Sequence, residues 1–384
     1  MTGERGRGTF VRDTGLPLAL GVEQIPADGL LDLVFNMPGA AGDADMLRAG
    51  LRCLAAAGDL ESMLRYQPHC GRPHERRIIA ADLARSLGSV EAERVIVTSG
   101  GQHGLAVTAL GLLPRGTAVA CDPLCYPGWI AVARLQGLDL VPVPQTNEAM
   151  DPDELDRLAR SRRLHAVYTV PTVHNPLGTV MAEDMRCRLV EVARHHDLVL
   201  IEDAAYAFLE PEPPLPLVTL APERTVHVGG VSKSLGTGLR LGYLVAPEAV
   251  VPDLIRAIRA TTWNAPALIS ALVTGWIEDG TLARSEATRR MDGAARQAVL
   301  RTVMGDAPLA HPHAGFAWLP LPKGARAEPI VIRLRDMGLL VSGAEAFATT
   351  EDVPQALRLA FGGIPMDELR NVLEVVWKEV DLTE

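Results

Sequence analysis

From about residue 94 the chain alternates short, β-branched apolar runs with segments of helical period. The runs are "RVIVTS", "TAVACD", "LDLVPVP", "LHAVYTV", "DLVLIED", "RTVHVGG" and "LRLGYLVA". Strand and helix in alternation predict a mostly parallel sheet wrapped on both faces. Past about residue 255 the pattern changes to helices over "PDLIRAIRATT" and "SEATRRMDGAARQAVLRTVM". Short strands at "GFAWLPLP" and "QALRLAFGG" follow, then a helix from Met366. This tail predicts a smaller α+β unit, and "PEPPLP" from Pro211 to Pro216 reads as a stiff surface loop.

Ligands of a parallel sheet sit outside the carboxyl ends of its strands, so the residues after each run carry the functional information. Gly100, Gly101 and Gln102 follow the first run and open a helix, where a glycine pair exposes backbone N–H groups to an anion. Asn175 lies in "PTVHNPLG" after the fourth run, Asp203 and Tyr206 end and follow the fifth, and Ser232 and Lys233 follow the sixth. The strand ends therefore deliver an anion cradle, an amide, a carboxylate with a phenol, and an amine.

Lys233 is one of three lysines, with Lys323 and Lys378, in a chain whose other basic residues are arginine. A desolvated lysine can lose its proton and attack a carbonyl, whereas a guanidinium stays charged. The ordinary alternative is a solvated surface lysine. "GGVSKS" lacks the glycine that a phosphate-binding P-loop needs directly before its lysine, and Gly236, Gly238 and Gly242 lack the preceding strand of a dinucleotide fingerprint.

Composition narrows the class. With 384 residues, 48% of them hydrophobic, the chain can bury a large core in two domains or in one large domain with a satellite. A net charge of -10 and no basic run interleaved with aromatics argue against nucleic acid, and no segment predicts a signal peptide or a membrane span. The expectation is a cytoplasmic protein acting on small molecules. Cys53, Cys70, Cys121, Cys125 and Cys187 lack paired spacing, which predicts reduced thiols and neither disulfides nor a zinc site. His195 and His196 look like a metal pair but read better as a solvated turn, so no metal is expected.

One cofactor uses every group delivered by the strand ends: pyridoxal phosphate, with an aldehyde, a phosphate, a phenolic oxygen and a pyridine nitrogen. Lys233 suits the aldehyde, Asp203 the ring nitrogen, and Asn175 with Tyr206 the ring oxygen. Taken singly, Asn175 before proline is a turn former, an aromatic such as Tyr126 is core, and an arginine such as Arg240 forms a surface ion pair.

The motifs "TSGGQHGL", "YTVPTVHNPLGTVM", "LVLIEDAAYAFL", "SKSLGTGLRLGYLVAP", "HAGFAWLPLP" and "ALRLAFG" occur in an order that resembles fold type I pyridoxal-phosphate aminotransferases. The likeness is to the branch holding 2-aminoadipate-type aminotransferases and the aminotransferase-like domain of MocR regulators, and it runs from about residue 34 to the end. It implies a large domain with a mostly parallel seven-stranded sheet flanked by helices, and a smaller α+β domain formed by the N-terminal segment and the C-terminal third. The expected division is 1–58 for the N-terminal segment, which also joins the dimer interface, 59–255 for the large domain and 256–384 for the small one.

The resemblance makes Lys233 the Schiff-base lysine and proton shuttle, Asp203 the partner of the pyridinium, and Asn175 and Tyr206 the holders of the ring oxygen. Ser99, the backbone of Gly100 to Gln102, and Arg240 would bind phosphate, Tyr126 would stack on the ring, and Arg358 would grip the substrate α-carboxylate. Tyr66 would reach the phosphate of a partner subunit, implying a homodimer with shared sites. Gly230 stands where the family often has Ser or Thr, leaving one phosphate contact missing or taken over by Ser232, and His174 stands where relatives often have Gln. The implied reaction moves an amino group from an amino acid to a 2-oxo acid. The alternatives are a lyase, decarboxylase or oxidase reaction, or a ligand-sensing module.

Overall fold

The computed structural model describes residues 2–4, 8–10, 29–37, 39, 42–57, 60–146 and 149–382. Most of the stretch from 1 to 28, part of the expected N-terminal segment, lies outside the described residues. Seven of the described strands form the main sheet: β1 Val95–Thr98, β2 Ala118–Cys121, β3 Asp139–Pro142, β4 Ala166–Thr169, β5 Val199–Asp203, β6 Thr225–Gly230 and β7 Gly242–Val245. Their spatial order is β1-β7-β6-β5-β4-β2-β3. β2, β3, β4, β5 and β6 pair in parallel, while β7 runs antiparallel to both β6 and β1. Each of the seven apolar runs thus contains a strand of this sheet.

The last run is trimmed at its start, because Thr237–Leu239 forms a tight 3-10 turn and Arg240 takes a φ of 49°. No helix separates β6 from β7, so the chain doubles back and the strand returns antiparallel. β4 and β5 are buried on both faces save for the half-buried Val199, as expected of central parallel strands, and this burial extends to the polar residues at their carboxyl ends, Thr169, Glu202 and Asp203.

The helices that position the site are α1 Asp43–Ala56, α2 Gly101–Leu112, α3 Ala267–Glu278 and α4 Thr281–Met304. α2 starts at Gly101 with Gly100 as its N-cap, so the glycine pair forms its N-terminal turn. α3 is an element that periodicity misses: "ALISALVTGWIE" is apolar nearly all round and shows no stripe. A smaller sheet holds β8 Phe316–Pro320, β9 Ser342–Gly343 and β10 Ala356–Ala360 in the order β8-β10-β9. Its apolar cluster includes Leu33 from near the N-terminal end, and Leu31–Asp32 pairs in parallel with Leu339–Leu340. That strand carries the following residues, Val34 to Asn36, to the mouth of the main sheet.

Candidate active site

The site is assembled at the carboxyl ends of β1, β4, β5 and β6. Asp203 is the last residue of β5 and is buried. Its Oδ1 accepts the Ala205 N–H at 3.0 Å and its Oδ2 accepts the Tyr168 hydroxyl at 3.0 Å. Burial holds the carboxyl above its usual range despite these two donors and the nearby His227 and His174.

Tyr206 follows in the turn after β5, also buried, with its ring 5.0 Å from that of Phe316. Burial pushes the phenol up, but Lys233 and Arg358 outweigh it with help from a hydrogen bond to Asn36, leaving it below its ordinary value. Lys233 leaves the end of β6, and its Nζ lies 5.6 Å from the centre of the Tyr206 ring. The same Nζ donates to the Asn36 carbonyl at 2.7 Å. The Asn36 side-chain amide in turn donates to the Tyr206 oxygen at 3.4 Å.

Arg358, in the middle of β10, is buried and lies 4.7 Å from the centre of the Phe316 ring. Its Nη1 donates to the Val34 carbonyl at 2.9 Å, while its Nε has no hydrogen-bond partner. Burial lowers its pKa, with Tyr206 the leading opposing charge, so the guanidinium faces the phenol across the site. A buried arginine with a free donor is prepared to take a carboxylate.

On the other side lies the anion cradle. Gly100 has a φ of 91°, and a Cβ there would stand 2.8 Å from Arg240 Nη2, so the guanidinium lies directly on the turn that opens α2. Arg240 Nη1 donates to Ser232 Oγ at 3.1 Å. The Ser99 N–H, by contrast, is committed to His103 Nδ1 at 3.1 Å. Gln102 turns its side-chain amide to the Gly128 carbonyl at 2.8 Å, beside Tyr126 at the start of the following helix. Burial foremost, then the negative fields of Asp203 and Tyr206, raise the Tyr126 phenol, and Arg240 pulls it back, which puts this ring among those three groups.

Gly230 has a packing reason. A Cβ there would lie 3.0 Å from the Leu241 carbonyl oxygen and 3.4 Å from the Gly101 nitrogen, so a hydroxyl-bearing residue is excluded without movement of backbone. Asn175 is buried, joined to Pro176 by a cis peptide, and its Oδ1 has no partner. His174 beside it has an unpartnered Nε2, 3.7 Å from an Asp122 oxygen.

These features fit pyridoxal phosphate. The cradle offers the N–H groups of a helix start and a guanidinium to a phosphate, the Asn175 amide is unsatisfied in a buried cleft, and an amine, a phenol and a carboxylate stand around it. Tyr66 is not brought to this cluster: it is 87% exposed, with its ring 5.7 Å from Trp263. Reading the sequence missed Asn36 and Phe316, which carried no local signal, and Tyr168, the sole aromatic of a β-branched run and the only one of the three that could have been flagged. Among the described residues no group of His, Cys, Asp or Glu could hold a metal ion, and His196 instead meets Asp156 at 2.7 Å.

Residues 36–376 match the family described as aminotransferase class I and II. The chain is 31% identical over 312 residues to 2-aminoadipate transaminase of Thermus thermophilus, across 78% of this chain and 77% of that one. It is 27% identical over 383 residues to the uncharacterized HTH-type transcriptional regulator YdeF of Bacillus subtilis, across 98% of this chain and 82% of the regulator. Among solved structures, LysN, alpha-aminoadipate aminotransferase from Thermus thermophilus, complexed with N-(5'-phosphopyridoxyl)-L-leucine, matches with a TM-score of 0.83 at 24% identity, covering 92% and 93% of the two chains. The strand ends, the smaller sheet that brings in an arginine and the family match lead to one conclusion: the chain belongs to the class I and II aminotransferases and is a fold type I, pyridoxal-phosphate-dependent transaminase.

Proposed function

We propose that this transaminase takes the amino group from an L-amino acid and passes it to a 2-oxo acid in two half-reactions at one site, a ping-pong cycle. The observation that carries this reading is the grouping around Tyr206, where the Lys233 amine and the buried Arg358 guanidinium both act on one phenol. When bound, pyridoxal phosphate supplies an aldehyde for amines to add to and a ring that withdraws electrons from the substrate Cα. Lys233 would hold the cofactor through its ε-amine and would move the substrate Cα proton at Nζ. Tyr206 and Asn175 hold the ring oxygen, and Asp203 holds the proton on the ring nitrogen. The start of α2, Arg240 and Ser232 hold the phosphate, and Tyr126 covers the ring face. Arg358 orients the substrate α-carboxylate, which fixes which Cα bond faces the ring.

In this reading 59–255 is the cofactor-binding unit, 256–384 with the N-terminal segment 1–58 is the smaller one, and the working form is a homodimer in the cytoplasm. The parallel pairing of Leu31–Asp32 with Leu339–Leu340 supports the joining of the N-terminal segment to the smaller unit. A groove lined by Met63, Leu64, Tyr66, Asn264, Pro266 and Leu268 supports the dimer, because Leu64 is 89% exposed and Tyr66 and Trp263 lie open beside it. A second copy seated there would bring Tyr66 to its partner's phosphate. Five free cysteines suit a reducing compartment, and among the described residues no helix is long and apolar enough to cross a membrane.

Half-reaction spectroscopy with a panel of amino acids tests this. The expected result is loss of the visible band of the Lys233-bound cofactor together with one equivalent of 2-oxo acid per site. A band that shifts with every amino acid while no oxo acid is released overturns the reading in favour of a sensor or another reaction at Cα.

A further inference from the structure

Arg289, in α4, is 4% exposed, yet it touches two distant parts of the chain. Its Nε donates to the Ser234 carbonyl at 3.2 Å, directly after Lys233, and its Nη2 donates to Asp43 Oδ2 at 2.8 Å, at the first residue of α1. Its Nη1 is buried with no hydrogen-bond partner. Ser285, one turn earlier in α4, donates to the same Ser234 carbonyl at 2.6 Å, so the peptide between Ser234 and Leu235, one residue beyond the lysine, is clamped twice from one helix.

Arg289 also lines a small cavity of about 20 Å³ together with Asn36, Tyr206, Lys233, Asp292 and His313. The Arg289 and Lys233 side chains thus line one small space, and charges that share so little solvent are weakly screened. The other charged and titratable groups that line this cavity have partners of their own. Asp292 pairs with Arg296 at 2.7 Å, His313 Nδ1 meets the Arg290 carbonyl at 3.2 Å, and Tyr206 is shared with Arg358. The carboxylate that balances Arg289 is that of Asp43, whose side chain is 37% exposed.

We propose that Arg289 is a positioning residue for Lys233 and that its ion pair with Asp43 sets both the place and the proton affinity of the lysine amine. The inference rests on the assignment of Lys233 as the residue that holds the cofactor. It gives a sign that a purely mechanical clamp does not. Removing the Asp43 charge leaves an unbalanced cation near Lys233, which disfavours the protonated form of the Lys233-bound cofactor and lowers its apparent pKa. Removing the Arg289 charge leaves the carboxylate and raises it.

The test is a spectrophotometric pH titration of the visible band of the cofactor-bound protein, for the unmodified chain, Asp43→Asn, Arg289→Met, Arg289→Lys and the exposed control Arg284→Ala. Asp43→Asn should lower the apparent pKa and Arg289→Met raise it, each by about 0.5 unit or more, with Arg284→Ala unmoved. Shifts in the same direction, or shifts below about 0.2 unit in both, overturn the proposal. Should Arg289→Met fail to fold, Arg289→Lys decides together with Asp43→Asn. Lysine keeps the charge but cannot span both contacts, so the apparent pKa should hold while the single-turnover rate falls on the order of 10-fold. An unchanged rate overturns the positioning role. If a Lys233→Ala chain keeps the band, the underlying assignment fails; if that band is lost but Asp43→Asn does not move the pKa, only this inference fails.

Discussion

The Tyr168 hydroxyl donates to Asp203 Oδ2 at 3.0 Å from the neighbouring parallel strand. Tyr168 pairs with Ile201, so Asp203 lies two residues farther on the same face, the diagonal neighbour an aromatic side chain can reach. The bond favours the charged carboxylate, against the burial that raises its pKa. Tyr168→Phe removes a donor to the ionised form, so the Asp203 pKa rises further and the acid limb of the kcat/KM profile moves to higher pH. The loss of one buried hydrogen bond amounts to about 1–2 kcal/mol, or roughly one pH unit. An acid limb that stays in place, or moves down, would show that Asp203 is not the group titrating there.

Asp203→Asn keeps the shape and removes the negative charge. Cofactor binding should change little, while the half-reaction slows by about two or more orders of magnitude, equivalent to roughly 3 kcal/mol at 1.36 kcal/mol per decade. Stopped-flow measurement with a reactive amino acid checks this, and a loss below fivefold would remove Asp203 from its role. Lys233→Arg keeps the charge in the same place but should abolish both turnover and borohydride-trapped cofactor, read by intact mass.

Tyr66 offers a test of shared sites. Its side chain stands open on the face that holds the Leu64 and Trp263 side chains, away from the Lys233 cluster of its own chain. Mixed dimers of Lys233→Ala with a Tyr66 variant inactive on its own should regain up to about a quarter of the activity, since one site of a heterodimer has all its groups. Absence of recovery, with heterodimers verified by native mass spectrometry, would place Tyr66 in its own chain's site or outside any site.

Glu286, in α4, predicts a pH dependence of stability. Burial, with Asp82 adding to it and Arg290 and Arg85 opposing, pushes its carboxyl up to about 7. A folded pKa above the unfolded one means that the protonated form is favoured by folding: stability is fully present below about pH 4.5 and falls as pH rises to about 7. Glu286→Gln should therefore stabilise the protein at pH 8, by roughly 2–3 kcal/mol at most, and by much less at pH 5. Denaturant unfolding at the two pH values checks the sign; equal effects at both would mean that the carboxyl titrates normally.

What the sequence determined by itself is the set of groups that follow the apolar runs. Asp203, Lys233, Asn175 and the Gly100–Gln102 turn each sit within a few residues of a strand end, and the alternation of elements places those ends together. Arg358 and Tyr66 were legible only through family order, because neither lies on the main sheet. The tertiary structure alone decided the rest, since it depends on long-range closure that no local pattern encodes. Asn36 reaches Lys233 across 197 residues because Leu31–Asp32 pairs with Leu339–Leu340 and carries the chain over the strand ends. Arg289 reads as an ordinary arginine of a polar helix until the fold buries it between Ser234 and Asp43, 246 residues from the latter. Gly230 looks like a lost phosphate contact in sequence, and only the approach of Leu241 and Gly101 shows that backbone fills the space a side chain would need.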